Sequence, residues 1–254
     1  MTAIGAEVHD PASRMALHSN HLYRVLIASI MNKADRVSAI STDIADRAGE
    51  YCSGVNIEIL PPGILPPPDS LPKEPHAEFR ICSVSRLARR KGLDTIIRAV
   101  ALLEDVPVRY IAVGDGNERG RLESLSEELG IRDRIEFLGI VDEAEKSRIL
   151  AGCDAFVLPS LHEGFGLCYI EAMSAGLPVI AARSGGHLDF IEDGVNGLLV
   201  EQGSEEALAG AITLLYGDSE LRESMSAKNS RKARLYHTPQ LKDLYLAHYR
   251  SSQA

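Results

Sequence analysis

Glu163 and Glu171 stand eight positions apart in the run EGFGLCYIE, separated by a Gly-Phe-Gly turn that opens onto a predicted helix. An ionised carboxylate accepts hydrogen bonds from two hydroxyls at once, and the free N–H groups at a helix start attract anions. Together they suit a ligand that carries sugar hydroxyls and phosphate. Gly164 and Gly166 let the backbone approach such a ligand with no Cβ in the way, and the N–H groups around Leu167 and Cys168 are placed to face its anionic part. A pair of glutamates at this spacing carries little weight alone, because acidic residues collect at helix N-termini for electrostatic reasons. Its setting matters more.

The preceding run CDAFVLPS reads as a buried strand, and CYIEAMSAGLPVIAA as a helix, a glycine stop and another buried strand. The loop therefore lies at the carboxyl end of a strand, where open α/β sheets bind ligands. Strand-like FRICSVS, RYIAVG, IEFLG, AFVLP and PVIAA alternate with helices starting near Lys91, Asn117, Asp142 and Gly166, and Gly197 to Val200 adds an edge strand. Near-continuous apolar strands with intervening helices predict the α/β class, with a doubly wound, parallel, Rossmann-like sheet. The strand ends carry, in order, Arg86 and Lys91, GDG at Gly114 to Gly116, GIVD with Ile140 and Val141, the glutamate loop, and SGGH with Gly185 and Gly186. Such features on one sheet edge predict a ligand crevice. GDG is as well explained by a tight turn as by a ligand contact, and His187 reads as an exposed loop residue.

Upstream, Pro11 to Lys33 has the spacing of an amphipathic helix, with Leu22, Leu26 and Ile30 on its apolar stripe. A strand (RVSAI), a helix capped by Ser41 or Thr42 and a strand (NIEIL) follow. Pro61, Pro62, Pro66, Pro67, Pro68 and Pro72 then forbid helix or central strand and predict a stiff extended linker. The predicted organisation is a short N-terminal α/β segment over 1–60, a Pro-rich linker over 61–77, the main domain over 78–236 and a C-terminal helix over 237–254.

With 254 residues, 45% hydrophobic and 25% charged, the chain can bury one sizeable core. A net charge of -9 and a pI near 5.4 argue against nucleic acid as a partner. Cys52, Cys82, Cys153 and Cys168 form no CxxC pair and read as thiols of a reducing compartment rather than a disulfide or zinc frame. No apolar run approaches the roughly 18 residues of a membrane-spanning helix, and no signal-peptide pattern opens the chain. A cytoplasmic protein is expected, with peripheral membrane contact left open. No Asp-x-Asp pair stands ready to chelate a divalent ion against a diphosphate, so neither a metal site nor a cofactor is expected.

EGFGLCYIE, with AMSAGLPVIA downstream, resembles the E-x7-E element of the retaining GT-B glycosyltransferases of the group 1 or family 4 type, and the likeness extends from about Ala34 onward. The resemblance implies a nucleotide diphosphate sugar as donor, a UDP sugar or a GDP sugar. SVSRLARRKGLDTII is similar to the family's phosphate-gripping segment, which assigns Arg86 and Lys91 to the diphosphate. A departing diphosphate gains negative charge, so fixed cations lower the barrier, and each charge-assisted contact supplies about 1.5 to 3 kcal/mol. By resemblance Glu171 accepts the ribose hydroxyls, and Glu163 contacts the donor sugar with help from the N–H groups of Gly164 and Phe165. Ile140 and Val141 hold the base through their backbone, and Gly185 and Gly186 form a second close-approach loop. The candidate catalytic set is thus Glu163, Arg86 and Lys91. The donor-binding set is Glu171, Gly164, Phe165, Gly166, Leu167, Ile140, Val141, Gly185 and Gly186. A front-face reaction, in which the departing phosphate oxygen takes the acceptor's proton, and a double displacement both stay open.

The sequence departs from the family pattern in places. Ser85 replaces a glycine, His187, Leu188 and Asp189 stand where a Pro and then a Glu are commoner, and Ile4 occupies the place of a frequent histidine. The resemblance covers the donor-binding half and only the last elements of the acceptor half. It implies a fragment or a half-protein whose first helix and tail helix near Tyr245 need a cover, either a homo-oligomer or a separate chain carrying the N-terminal half. The implied function is retaining transfer of a hexosyl unit to a glycan, polysaccharide or lipid acceptor; the alternative is a non-catalytic nucleotide-sugar binding module. No G-x-G-x-x-G follows a strand, which argues against a nicotinamide-binding domain.

Overall fold

The computed structural model describes residues 2–3, 21–50, 54–67 and 76–250. A small parallel sheet of three strands comes first, in the order β1 (Thr2–Ala3), β2 (Val37–Ala39) and β3 (Ile57–Ile59). Between its strands lie α1 (His21–Lys33) and α2 (Thr42–Gly49). Ile27 and Met31 of α1 meet Ile44 and Ala48 of α2 over Val37 and Ala39 in a core of their own. That arrangement leaves Leu22, Val25, Leu26 and Ile30 exposed on the outer side of α1. Of the helix expected from Pro11, the part before His21 lies outside the described residues, as do Ile4 and Cys52.

The large sheet is the doubly wound parallel sheet expected. Its strands β4 (Phe79–Val84), β5 (Val108–Val113), β6 (Ile135–Gly139), β7 (Ala155–Leu158), β8 (Val179–Ala182) and β9 (Gly197–Val200) lie in the order β6-β5-β4-β7-β8-β9, all parallel. Central strands covered on both faces must be apolar throughout; AFVL of β7 and VIAA of β8 are buried at every position. The edge strand β6 instead buries Ile135 and exposes Glu136 and Leu138. The crossovers are α3 (Leu93–Leu102), α4 (Arg119–Glu128), α5 (Glu143–Ala151) and α6 (Leu167–Ser174), followed by α7 (Glu205–Gly217), α8 (Ser219–Ala233) and α9 (Thr238–Arg250). Asp142 caps α5 by accepting from Glu145 N at 2.8 Å, whereas no side chain caps α6.

The stretch after β3 is strapped to the tail. Ile64 N donates to Tyr236 O, and Thr238 N to Ile64 O, both at 2.9 Å. Beyond this bridge α9 packs back on the small sheet: Tyr245 donates its hydroxyl to Pro61 O at 3.2 Å, and His248 Nδ1 lies 2.6 Å from a Glu58 oxygen. Among the described residues, no helix is long and apolar enough to cross a membrane.

Candidate functional site

Growth of the large sheet reverses between β4 and β7, since β5 and β6 are added on one side and β8 and β9 on the other. Loops leaving neighbouring strands at such a point diverge and open a crevice. From β4 come Ser85, Arg86 and a single 3-10 turn over Arg89–Lys91; from β7 comes the segment from Pro159 to Gly166. The two segments are tied by Leu161 N donating to Arg90 O at 2.8 Å and by Lys91 Nζ donating to Glu163 Oε2 at 2.5 Å. The side chains of this ion pair are only 10% and 14% exposed. Opposite charges this far from water hold each other in place, and removing one leaves the other uncompensated at a cost of about 3 to 5 kcal/mol. Arg86, by contrast, is exposed.

The glutamate loop is shaped by packing. Phe165 is buried, with its ring 5.1 Å from that of Phe190 and 5.7 Å from that of Tyr236. Its side chain is therefore an anchor and is not available to a ligand in the crevice. Gly166 takes a left-handed conformation at φ 95° and begins α6, whose first N–H groups have no helical acceptor. Leu167 is partly exposed there. Burial, together with the nearby Glu163 carboxylate, pushes the Cys168 thiol up to about 12, so it stays protonated and is no nucleophile at neutral pH.

Glu171 lies one turn further along α6, where its Oε1 accepts from Lys146 Nζ of α5 at 2.9 Å. Lys146 also reaches Glu143 on its own helix. Nothing in the sequence marked Lys146, which reads as an ordinary helix-surface cation. It leaves Glu171 one oxygen for a ligand. Ile140 is 85% exposed just past β6, Val141 is half-buried, and the capped start of α5 follows. Three strand spacings of about 4.8 Å separate β6 from β7, so Ile140 stands apart from the Lys91–Glu163 pair at the far end of the crevice.

Gly185 and Gly186 meet the glutamate loop directly: Gly186 N donates to Glu163 O at 2.8 Å. His187, expected in an exposed loop, is instead fully buried. The chain turns under after Gly186, so the imidazole packs 4.8 Å from the Tyr169 ring and donates from Nε2 to Ala182 O at 2.7 Å. Nδ1 is then left without a partner. Burial pushes the His187 imidazole below its ordinary value of 6.5. The unfolded chain binds a proton at a pH where the folded one does not, so stability falls as pH drops through about 6.5. Burial acts in the same direction on His162 and His237. Urea unfolding at pH 7.5 and 5.5 is expected to show this loss, and His187→Leu is expected to reduce it; an unchanged loss would move the effect to other groups.

GDG has a structural explanation. A Cβ on Gly114, at φ 122°, would lie 1.9 Å from Ser85 O, and one on Gly116 would lie 2.3 Å from Leu87 O. Leu87 N also donates to Asp115 O at 3.0 Å. The turn is therefore pressed against the segment carrying Arg86.

Residues 71–232 match the sequence model of the family described as glycosyl transferases group 1. The chain belongs to this family. Among curated relatives it is 38% identical over 148 residues to the lipopolysaccharide core biosynthesis glycosyltransferase LpsE of Rhizobium meliloti, covering 58% of this chain and 42% of that protein. It is 31% identical over 263 residues to the D-inositol 3-phosphate glycosyltransferase of Corynebacterium urealyticum, covering 90% and 62%. The chain thus spans less than two thirds of the length of these relatives. Sucrose-phosphate synthase from Thermosynechococcus elongatus superimposes with a TM-score of 0.84 at 26% identity, covering 98% of this chain and 66% of that one. The large sheet is accordingly the Rossmann-like unit of the GT-B fold.

Proposed function

We propose that the crevice between β4 and β7 binds a nucleotide diphosphate sugar, and that the whole enzyme transfers its hexosyl unit with retention to a glycan, polysaccharide or lipid acceptor. The observation that carries this reading is the sequestered Lys91–Glu163 pair beside the uncapped start of α6. A diphosphate docking there meets Lys91, the first-turn N–H groups and Arg86. As the glycosidic bond breaks, those groups answer the growing charge on the leaving oxygen without rearranging. Because Glu163 is already engaged by Lys91, its oxygens suit hydroxyl binding better than attack on the anomeric carbon. That favours the front-face reaction, in which the leaving phosphate oxygen accepts the acceptor's proton. Glu171 takes a ribose hydroxyl on the oxygen Lys146 leaves open, and the base lies toward Ile140 and Val141. The names of the relatives above, one acting in lipopolysaccharide core synthesis and one on an inositol phosphate, support a lipid-linked sugar or a phosphorylated polyol as acceptor.

Calorimetric titration of UDP, GDP and their hexose conjugates in the presence of EDTA tests the reading. One nucleotide series is expected to bind without metal. Glu171→Gln is expected to weaken free nucleotide and donor alike, and Glu163→Gln, which also leaves Lys91 unpaired, to weaken the sugar conjugate relative to the free nucleotide. No binding in either series, or binding that requires magnesium or manganese, sinks the proposal. Binding without any sugar turnover supports the binding-module reading instead.

The outer side of α1, with Leu22, Leu26 and Ile30 exposed, is where we place the contact with a second copy or with an acceptor-side chain. Light scattering on the purified chain is expected to show self-association that Leu26→Glu reduces. A monomer at high concentration would remove the second-copy reading.

A further inference from the structure

We propose that Ser41, which belongs to the small sheet's unit, is a positioning residue of the donor loop, holding the Gly164–Phe165 peptide so that its N–H faces the crevice. This rests on the reading of that loop as the donor site. Ser41 follows β2 and is fully buried. Its Oγ donates to Gly164 O at 2.6 Å, across 123 positions of sequence, while accepting from Ile44 N at 3.2 Å. The proton of the hydroxyl is thus committed to the loop and a lone pair to α2.

Two neighbouring contacts tighten the junction. Thr42 N donates to Asp189 Oδ2 at 2.8 Å, which fixes the start of α2 against the turn after β8. That turn in turn holds Glu163 O through Gly186 N. The fit is close enough that a Cβ on Gly186 would lie 2.1 Å from Gly164 O and 2.6 Å from Ser41 Oγ. Two successive carbonyls of the loop, those of Glu163 and Gly164, are therefore clamped from separate sides.

The consequence follows from the geometry of the peptide unit. It is planar and trans, so its C=O and N–H point in opposite directions. With Gly164 O drawn toward Ser41, the N–H of Phe165 must point away from α2. No hydrogen bond to a described residue uses that N–H, which makes it an available donor for the ligand. A preset donor of this kind is worth more than one that must reorient during the reaction. The sequence reads Ser41 only as a helix cap, a role it also fills.

Two measurements decide the matter. In amide hydrogen exchange on the ligand-free chain, Ser41→Ala is expected to speed exchange of the Gly186 amide, which donates to Glu163 O of the loop, at least tenfold while β7 and β8 stay unchanged. Ser41→Gly keeps the cap nearly as well as serine and is expected to behave the same way, which separates the clamp from capping. In donor turnover, both variants are expected to lower kcat at least tenfold with KM and free-nucleotide affinity within about twofold, and Ser41→Thr to restore most of kcat. Unchanged exchange at Gly186 overturns the clamp. Parallel loss of nucleotide affinity and kcat, or no rescue by threonine, overturns the positioning role. A wild-type chain that binds no nucleotide sugar brings down the donor reading itself, while Gly186 exchange still decides whether Ser41 clamps.

Discussion

Replacing Lys91 with alanine is expected to cost both the site and the fold. Lys91 is the only cation hydrogen-bonded to Glu163 among the described residues, and the carboxylate it pairs with is mostly out of water. Its loss leaves a buried, unpaired charge, for which about 3 to 5 kcal/mol of destabilisation is typical. In the proposed donor site it would also remove one charge-assisted contact to the diphosphate, worth about 1.5 to 3 kcal/mol, or roughly 10- to 150-fold in affinity. Urea unfolding and titration with nucleoside and nucleoside diphosphate separate the two effects: affinity for the diphosphate is expected to collapse while the nucleoside is spared. The double variant Lys91→Met with Glu163→Leu is expected to recover stability without recovering diphosphate binding, because an apolar pair of similar volume replaces a buried ion pair at little cost. Equal losses for nucleoside and diphosphate would show that Lys91 acts through the fold alone.

Gly114→Ala is expected to be as damaging without removing any functional group. The new methyl would sit 1.9 Å from Ser85 O, and the backbone at φ 122° is open only to glycine. A strained conformation costs about 1 to 3 kcal/mol, and overpacking about as much again. For a chain of this size each kcal/mol shifts Tm by about 2 to 4 °C, so a fall of about 10 °C is expected in a thermal melt. The segment from Ser85 to Leu87 must yield to the methyl, so affinity for the diphosphate is expected to drop with it through Arg86. A Tm within about 2 °C of the wild type would mean that the turn does not press on that segment.

The large sheet was legible because its central strands must be apolar at every position, and AFVL and VIAA are. The strand ends were legible for the same reason: polar and glycine residues cluster where each apolar run stops. Contacts made across the sequence were less accessible. Lys91 and Glu163 were each singled out, yet their pairing spans 72 positions and follows only once β4 lies beside β7. Lys146 carried no signal, since a lysine within EAEKSR looks like any solvent-facing helix residue until α6 is placed against it. His187 misled because it follows two glycines, which suggest an open loop; the same glycines allow the chain to turn back and bury the ring against Tyr169. GDG looked equally suited to a ligand and to a turn, and only the positions of Ser85 and Leu87 decide between them.

The aromatic contact between Phe165 and Tyr236 reaches into the order in which the molecule is made. Tyr236 sits just before α9, beside the bridge that ties Ile64 to Thr238 across 174 positions. During synthesis the amino-terminal parts emerge first, and β4 to β8 can pair as they appear. The ring that supports the glutamate loop emerges only after β9, α7 and α8 have been made. Until then Phe165 lacks one of its two aromatic neighbours, and closing so long a segment is slow on entropic grounds. The sheet is therefore assembled before the loop is completed, and a ribosome-stalled chain ending before Tyr236 would display a formed scaffold around an unfinished loop.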